Sequence, residues 1–356
     1  MSKPLAVATL LLLQAAPLCG QAAKSYSVAG NDVAIYNLAG EVTVRGGGTG
    51  AVTVEVTPTG PDGGRLTVAT GRLDGVETLR VLYPSEDIVY RTLGRGSRTS
   101  LRVREDGTFG DRDSWNHDRE GHDREEGRKV TIRGEGSGLE ASANLQITIP
   151  AGRKAGIYIG VGRMEVANVD GQIHLYAASG DVTARGARGE LRIDTGSGDV
   201  HAENLEGRVS LDTGSGDVTI SGLKNGALDI DTGSGSVTGS GLETTETKID
   251  TGSGDIRLDG ISAPRLVLDT GSGSVRADLT GKVDMLSAET GSGNVTIRLP
   301  DGVGATLDLE TGSGDFTVDV PVQLIKKGEG SLRGQIGDGS SRIHIETGSG
   351  DIALVK

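Results

Sequence analysis

The tetrapeptide Thr-Gly-Ser-Gly occurs eight times, beginning at Thr195, Thr213, Thr232, Thr251, Thr270, Thr290, Thr311 and Thr347. Successive copies lie 18, 19, 19, 19, 20, 21 and 36 residues apart, the last gap being about two periods. An Asp or Glu precedes every copy, as at Asp194, Asp269 and Glu346. A unit this short cannot bury its own apolar face, so a period near twenty residues demands neighbours stacked on neighbours. No other feature of the chain narrows its fold as much.

One repeat shows what is stacked. In Leu191-Arg192-Ile193-Asp194-Thr195 the apolar residues and Thr195 alternate with charged ones, which is the period of a strand with one buried face. Gly196-Ser197-Gly198 breaks the strand, because paired glycines allow a tight corner. Val200 and Ala202 then resume the alternation, and Asn204 to Gly207 makes a second corner with Leu205 plugging it. The same parity turns Val218 and Leu211 inward and Thr219 and Asp212 outward. The expected fold is all-β: a parallel β-solenoid of about 18–21 residues per turn. Aromatic residues make up only 3% of the chain, which suits a narrow core of Val, Ile, Leu, Ala and Thr.

Along the chain, residues 1–22 read as a secretory signal peptide. Lys3 supplies the positive start, Leu5 to Leu13 the apolar stretch, and Gly20-Gln21-Ala22 the cleavage site, so the mature chain begins near Ala23. The apolar run is too short to span a bilayer. Cleavage removes Cys19, the single cysteine, and excludes disulfides from the mature fold. Residues 23–150 are expected to form divergent turns and an N-terminal β cap, with a disordered charged loop at 104–129. That loop holds His117, His122, Asp118 and Asp123, whose spacing matches no metal site; a mixed-charge run of this kind reads as solvated chain. Residues 151–356 are the repeat region proper.

The export signal, the lead-in Ile149-Pro150-Ala151-Gly152 and the repeated Thr-Gly-Ser-Gly-Asp-Val/Ile resemble a bacterial family of adhesin-like proteins, exported or envelope-associated domains of unknown function. The resemblance is best from about Leu145 to Lys356. It implies a single-domain β-solenoid and an exported, periplasmic or surface location; the adhesive role attached to that family rests on analogy.

Function classes separate on simple chemistry. A net charge of −13 disfavours nucleic acid, which calls for a basic face. Polysaccharide-active β-helix enzymes need a local, non-repeating cluster of acid and base groups. Here the carboxylates belong to the repeat, and His174, His201 and His344 each occur singly on a strand, as surface residues do. The chain is therefore expected to be non-catalytic and without a cofactor. It would be an exported scaffold or adhesin whose partners are cell-surface or matrix polymers. Calcium-binding nonapeptide repeats also carry two glycines and an Asp, but with half this period and a residue between Gly and Asp. Ice binding through a flat Thr array conflicts with the inward parity of the repeated Thr.

One candidate site remains. Stacked turns set equivalent residues ~4.8 Å apart, so Asp194, Asp212, Asp231, Asp250, Asp269, Glu289 and Glu310 are expected to form an unbroken outward row. Asp199, Asp217, Ser236, Asp255, Ser274, Asn294 and Asp315 form a second row, diluted by neutral residues. The first row is either a solvated face that favours solubility or a face that gathers Ca²⁺ weakly through clustered carboxylate oxygens.

Overall fold

In the computed structural model, which describes residues 22–110 and 127–356, nearly every element is a strand. The described residues contain no α-helix, and so none that is long and apolar enough to cross a membrane. Twenty-six strands join in one large, mostly parallel sheet; three more, Asp87–Val89, Arg98–Val103 and Arg128–Arg133, form a small second one. All but the last residue of the expected leader, Cys19 included, lies outside the described residues, as do His117, His122, Asp118 and Asp123.

The sheet is built from rungs, each a strand, a Gly-Ser-Gly corner and a second strand. Arg188–Thr195 pairs in parallel with the Thr213 repeat so that Ile193 meets Leu211, Asp194 meets Asp212 and Thr195 meets Thr213. Beyond the corner, Val200 pairs with Val218 and Ala202 with Ile220. Val218 and Leu211 are buried at 1% exposure while Thr219 and Asp212 are exposed, the register that the alternation predicts. Inward residues of both strand rows merge into one apolar cluster that runs from Val28 to Leu354. Leu205, at the second corner, is buried within it.

The two glycines of each corner answer to different constraints. Gly252 has ordinary backbone angles, but a Cβ there would sit 2.5 Å from the carbonyl oxygen of Gly233 on the preceding rung. Gly254 adopts φ +149°, a conformation that L side chains rarely accept. The repeated Thr points inward, as parity requires, with exposures of 0–5%. From Thr251 onward its hydroxyl donates to a carbonyl of an adjoining rung, as from Thr251 to Gly235 O at 3.1 Å and from Thr270 to Gly254 O at 2.9 Å. The Thr213 and Thr232 hydroxyls have no hydrogen-bond partner among the described residues.

The row after the corner is a hydrogen-bond ladder. The backbone N–H of Asp217 donates to Asp199 Oδ1 at 2.9 Å, that of Ser236 to Asp217 Oδ1 at 2.8 Å, and that of Ser274 to Asp255 Oδ1 at 2.8 Å. Asn294 and Asp351 continue it. The position needs a short side chain with an acceptor oxygen for a backbone donor that the turn leaves over. Asp, Asn and Ser all meet that need, which accounts for the neutral residues mixed into this row.

Two regions depart from sequence order. At the N-terminal side, Asp32–Ala39 and Val42–Gly46 make a full rung that stacks directly on 153–167. The chain between them folds largely into antiparallel pairs, such as Thr67–Leu73 with Val76–Leu82 and Val52–Thr59 with Ser142–Ile149, and Lys24–Val28, ahead of the rung, also pairs antiparallel with Val52–Thr59. The expected charged loop is ordered at both ends: Arg128–Arg133 is a strand paired with Arg98–Val103, and Phe109 is buried. Its middle, 111–126, is outside the described residues. At the far end, the rung 285–298 pairs not with 305–318 but with 341–355, and 305–318 lies beyond it.

Candidate functional site

The acidic row exists, with one correction. Asp194, Asp212, Asp231, Asp250 and Asp269 follow one another in register, and Asp269 pairs with Glu289. Glu289 then pairs with Glu346, and Glu346 with Glu310. The row therefore holds eight acids rather than seven, and Glu346 separates Glu289 from Glu310. The reason is the out-of-order rung, which carries the same repeat and so fits the same column.

Cations sit at its two ends. Arg192 Nε lies 3.0 Å from Asp194 Oδ2, and Arg333 contacts Asp308 at 2.9 Å and Glu310 at 3.5 Å. Between them the acids face one another across single strand spacings. The Asp212 carboxyl is held above its ordinary range by partial burial and then by the charges of Asp194 and Asp231, against a smaller pull from Arg192. Asp269 is raised in the same way, by burial, Asp250 and Glu289, with Lys248 opposing. Among the described residues no three His, Cys, Asp or Glu side chains converge into a cage for a metal ion. A linear row at one strand spacing offers an ion neighbouring carboxylates in line, not an enclosing set.

Toward the N-terminal side the same column changes chemistry. Asp194 pairs with Tyr176, Tyr176 with Tyr158 and Tyr158 with Tyr36. The rings of Tyr36 and Tyr158 stack with centroids 4.5 Å apart, and Phe109 meets Tyr36 edge-on at 5.7 Å. Phe109 is carried by a turn in which Arg104 N–H donates to Thr108 O at 2.8 Å and Arg80 Nη1 donates to Asp106 O at 2.9 Å. This arm lies across the outer face of the sheet and buries residues that strand parity turns outward.

His174, beside these tyrosines, is buried as well. Its single occurrence on a strand reads as a surface residue, yet it is 1% exposed. One ring nitrogen, Nδ1, lies 3.3 Å from the Tyr158 hydroxyl, and Nε2 lies 2.6 Å from Asp194 Oδ2. Burial raises the Asp194 carboxyl, but the hydrogen bond and charge of His174, with Arg192 adding to them, outweigh it and hold the group below its usual range. Tyr158, His174, Asp194 and Arg192 thus form one polar cluster where the aromatic and acidic parts of the column meet. The sequence carries a trace of it: Tyr176 and Tyr158 precede Asp194 by 18 and 36 residues, and His174 precedes Arg192 by 18. His201 is an exposed strand residue, and His344 lies 3.8 Å from Glu346. Two shallow depressions, of about 600 and 470 Å³, border the corners near Arg153 and Asn204 and include neither the acidic row nor His174.

An all-β chain whose repeats stack as parallel rungs, with a regular column of acids on one face, defines the class of protein. Residues 116–355 match the model of the Toastrack DUF4097 family, and the chain belongs to that family. No curated protein matches it. A crystal structure of a candidate cell adhesion protein from Clostridium sporogenes aligns over 94% of this chain and 98% of that one, at 12% identity and a TM-score of 0.23.

Proposed function

We propose that this Toastrack protein is a non-catalytic, exported envelope or surface scaffold that presents its acidic face to cell-surface or matrix polymers. In this reading the two strand rows close into a parallel β-solenoid with about 18–21 residues per turn, residues 23–150 supply its divergent cap, and the leader 1–22 directs export. The observation that carries it is the column itself: eight acids in register, one per rung. A periodic face of identical groups suits many weak contacts made at once, whose avidity exceeds any single affinity. Catalysis instead asks for one local and irregular constellation. The His174 cluster is local, but His174 is buried and tied into the strand row through Tyr158 and Asp194.

The test is binding of the purified full-length chain, freed of any leader by export, to an array of surface polysaccharides, basic matrix peptides and anionic envelope polymers. Salt-sensitive binding that strengthens when the protein is displayed on beads supports the scaffold. Turnover of a polysaccharide on the same array would instead favour a polysaccharide-active β-helix enzyme, and retention of the chain in the cytoplasm would remove the export reading.

A further inference from the structure

The rung order at the far end divides the molecule at one plane. Within 305–355, Ala305–Thr311 is flanked by Ser331–Ile336 and by Ser341–Thr347, while Gln323–Gly328 pairs with Ser331–Ile336 and Phe316–Val318 with Ile352–Val355. All of these pairings are internal to the block. It meets the preceding strands along a single rung interface, Met285–Thr290 with Ser341–Thr347 and Val295–Arg298 with Ile352–Val355. Its covalent link to them is the segment 299–304.

That interface is generic. The Thr347 hydroxyl donates to Gly293 O at 3.0 Å, as Thr290 does to Gly273 O at 2.9 Å one rung earlier. The Asp351 N–H donates to Asn294 Oδ1 at 2.8 Å, as the Ser274 N–H does to Asp255 Oδ1 at 2.8 Å. Nothing in these contacts depends on the docking rung belonging to the same chain. The link 299–304 already has to climb past the inserted rung, two strand spacings or ~9.6 Å. It contains Gly302 at φ +79° and Gly304. Six extended residues reach roughly 20 Å, so the same link can lead to the edge of an adjacent molecule.

We propose that the edge formed by Met285–Thr290 and Val295–Arg298 is an interaction surface for the 305–355 block of a second copy of this chain, so that two copies trade blocks and form an exchanged dimer. The exchange keeps the strand pairing of the rung interface and alters the course of 299–304, whose two ends, Leu299 with its N–H on Val355 O and Gly304 with its carbonyl on Ser341 N–H, can stay with the edge and with the block respectively. Within one molecule the link keeps the block at a high effective concentration, so the exchanged form rises with protein concentration and with refolding of molecules together. The proposal stands independently of what the acidic face binds.

Cysteine trapping in the full chain tests it, in a Cys19→Ser background. Ser287 and His344 are outward register partners across the interface, as are Thr296 and Ala353 in the other strand row. A chain carrying both Ser287→Cys and His344→Cys should close an internal disulfide. Chains carrying one each, refolded together at high concentration and oxidised, should give a covalent heterodimer that is at least tenfold more abundant than with Thr219→Cys in place of Ser287→Cys. The Thr296→Cys and Ala353→Cys pair should behave alike. An internal disulfide in the double variant with no heterodimer from the mixed single variants, in either pair, overturns the proposal. So does equal cross-linking with Thr219→Cys, or failure of both internal disulfides.

Discussion

Asp212→Asn isolates what the acidic row costs. In the row Asp212 stands between Asp194 and Asp231, one strand spacing from each. At ~4.8 Å in water a pair of like charges repels by roughly 0.86 kcal/mol, so two contacts amount to about 1.7 kcal/mol before screening. Arg192 offsets part of this, as its opposing effect on the Asp212 carboxyl shows. The side chain is also open to solvent on one side, and salt at physiological strength screens beyond about 8 Å. A stabilisation of about 0.5–1 kcal/mol at low salt is therefore expected for the variant. Its pH dependence follows from the raised carboxyl: the folded chain holds that proton more tightly than the unfolded chain, so stability is lost as pH rises through the carboxylate range. The gain from Asn should be full at pH 7 and largely gone at about pH 3.5, where the wild-type group is mostly protonated in both states. Urea unfolding of the two proteins at pH 7 and pH 3.5, in 20 mM and 500 mM salt, reads all four corners. A variant that is no more stable at pH 7, or a gain that survives high salt unchanged, would refute the electrostatic account of the row.

Three further outcomes follow. Asp194→Asn should have the opposite sign: its carboxyl is lowered by His174 and Arg192, so it stabilises the fold above the ordinary carboxylate range and loses that effect as pH falls through its depressed value. The substitution should cost about 1–3 kcal/mol at pH 7 and little in strong acid; equal loss at both pH values would mean that packing, not charge, is at stake. Val218→Asp buries a charge with no partner and should cost several kcal/mol, whereas Thr219→Asp should be nearly silent in the same thermal melts; equal effects would sink the register. Because the acids lie in a line rather than around a cavity, millimolar calcium at matched ionic strength should leave the melting temperature within a degree, and a clear rise with saturable heat of binding would instead establish a cation-gathering face.

The repeat made much of this legible in advance. Parity alone placed Thr251, Val218 and Leu211 inside, and the Gly-Ser-Gly corner followed from its glycines. What it could not convey is rung order. Every Thr-Gly-Ser-Gly rung offers the same contacts above and below, so only the hairpin of Gln323–Gly328 and Ser331–Ile336 and the turn after it decide that 341–355 enters ahead of 305–318. Glu346 was invisible in the row for that reason. His174 escapes the sequence for another reason: alternation says only which way a side chain points from its own sheet, and outward here leads to the Tyr158 hydroxyl and the Asp194 carboxylate of the neighbouring rungs, beside tyrosines that Phe109 meets from a distant part of the chain. The row of Asp199 and Asp217 looked like a diluted charge array, because a side chain that accepts a backbone N–H from the next rung leaves no periodic mark beyond its size.

Rung order is also where the account is most exposed. Thr183, Thr296, Ala353 and Thr317 occupy one outward column, six, seven and eight rungs apart from Thr183 in that sequence. Spin labels at Thr183 and at each of the other three, measured by pulsed dipolar spectroscopy, should give backbone separations of roughly 29, 34 and 38 Å. Even steps with Ala353 nearer than Thr317 are the predicted result; a shorter distance to Thr317 than to Ala353, or distances that do not grow by a constant step, would contradict the stacked and interleaved rungs.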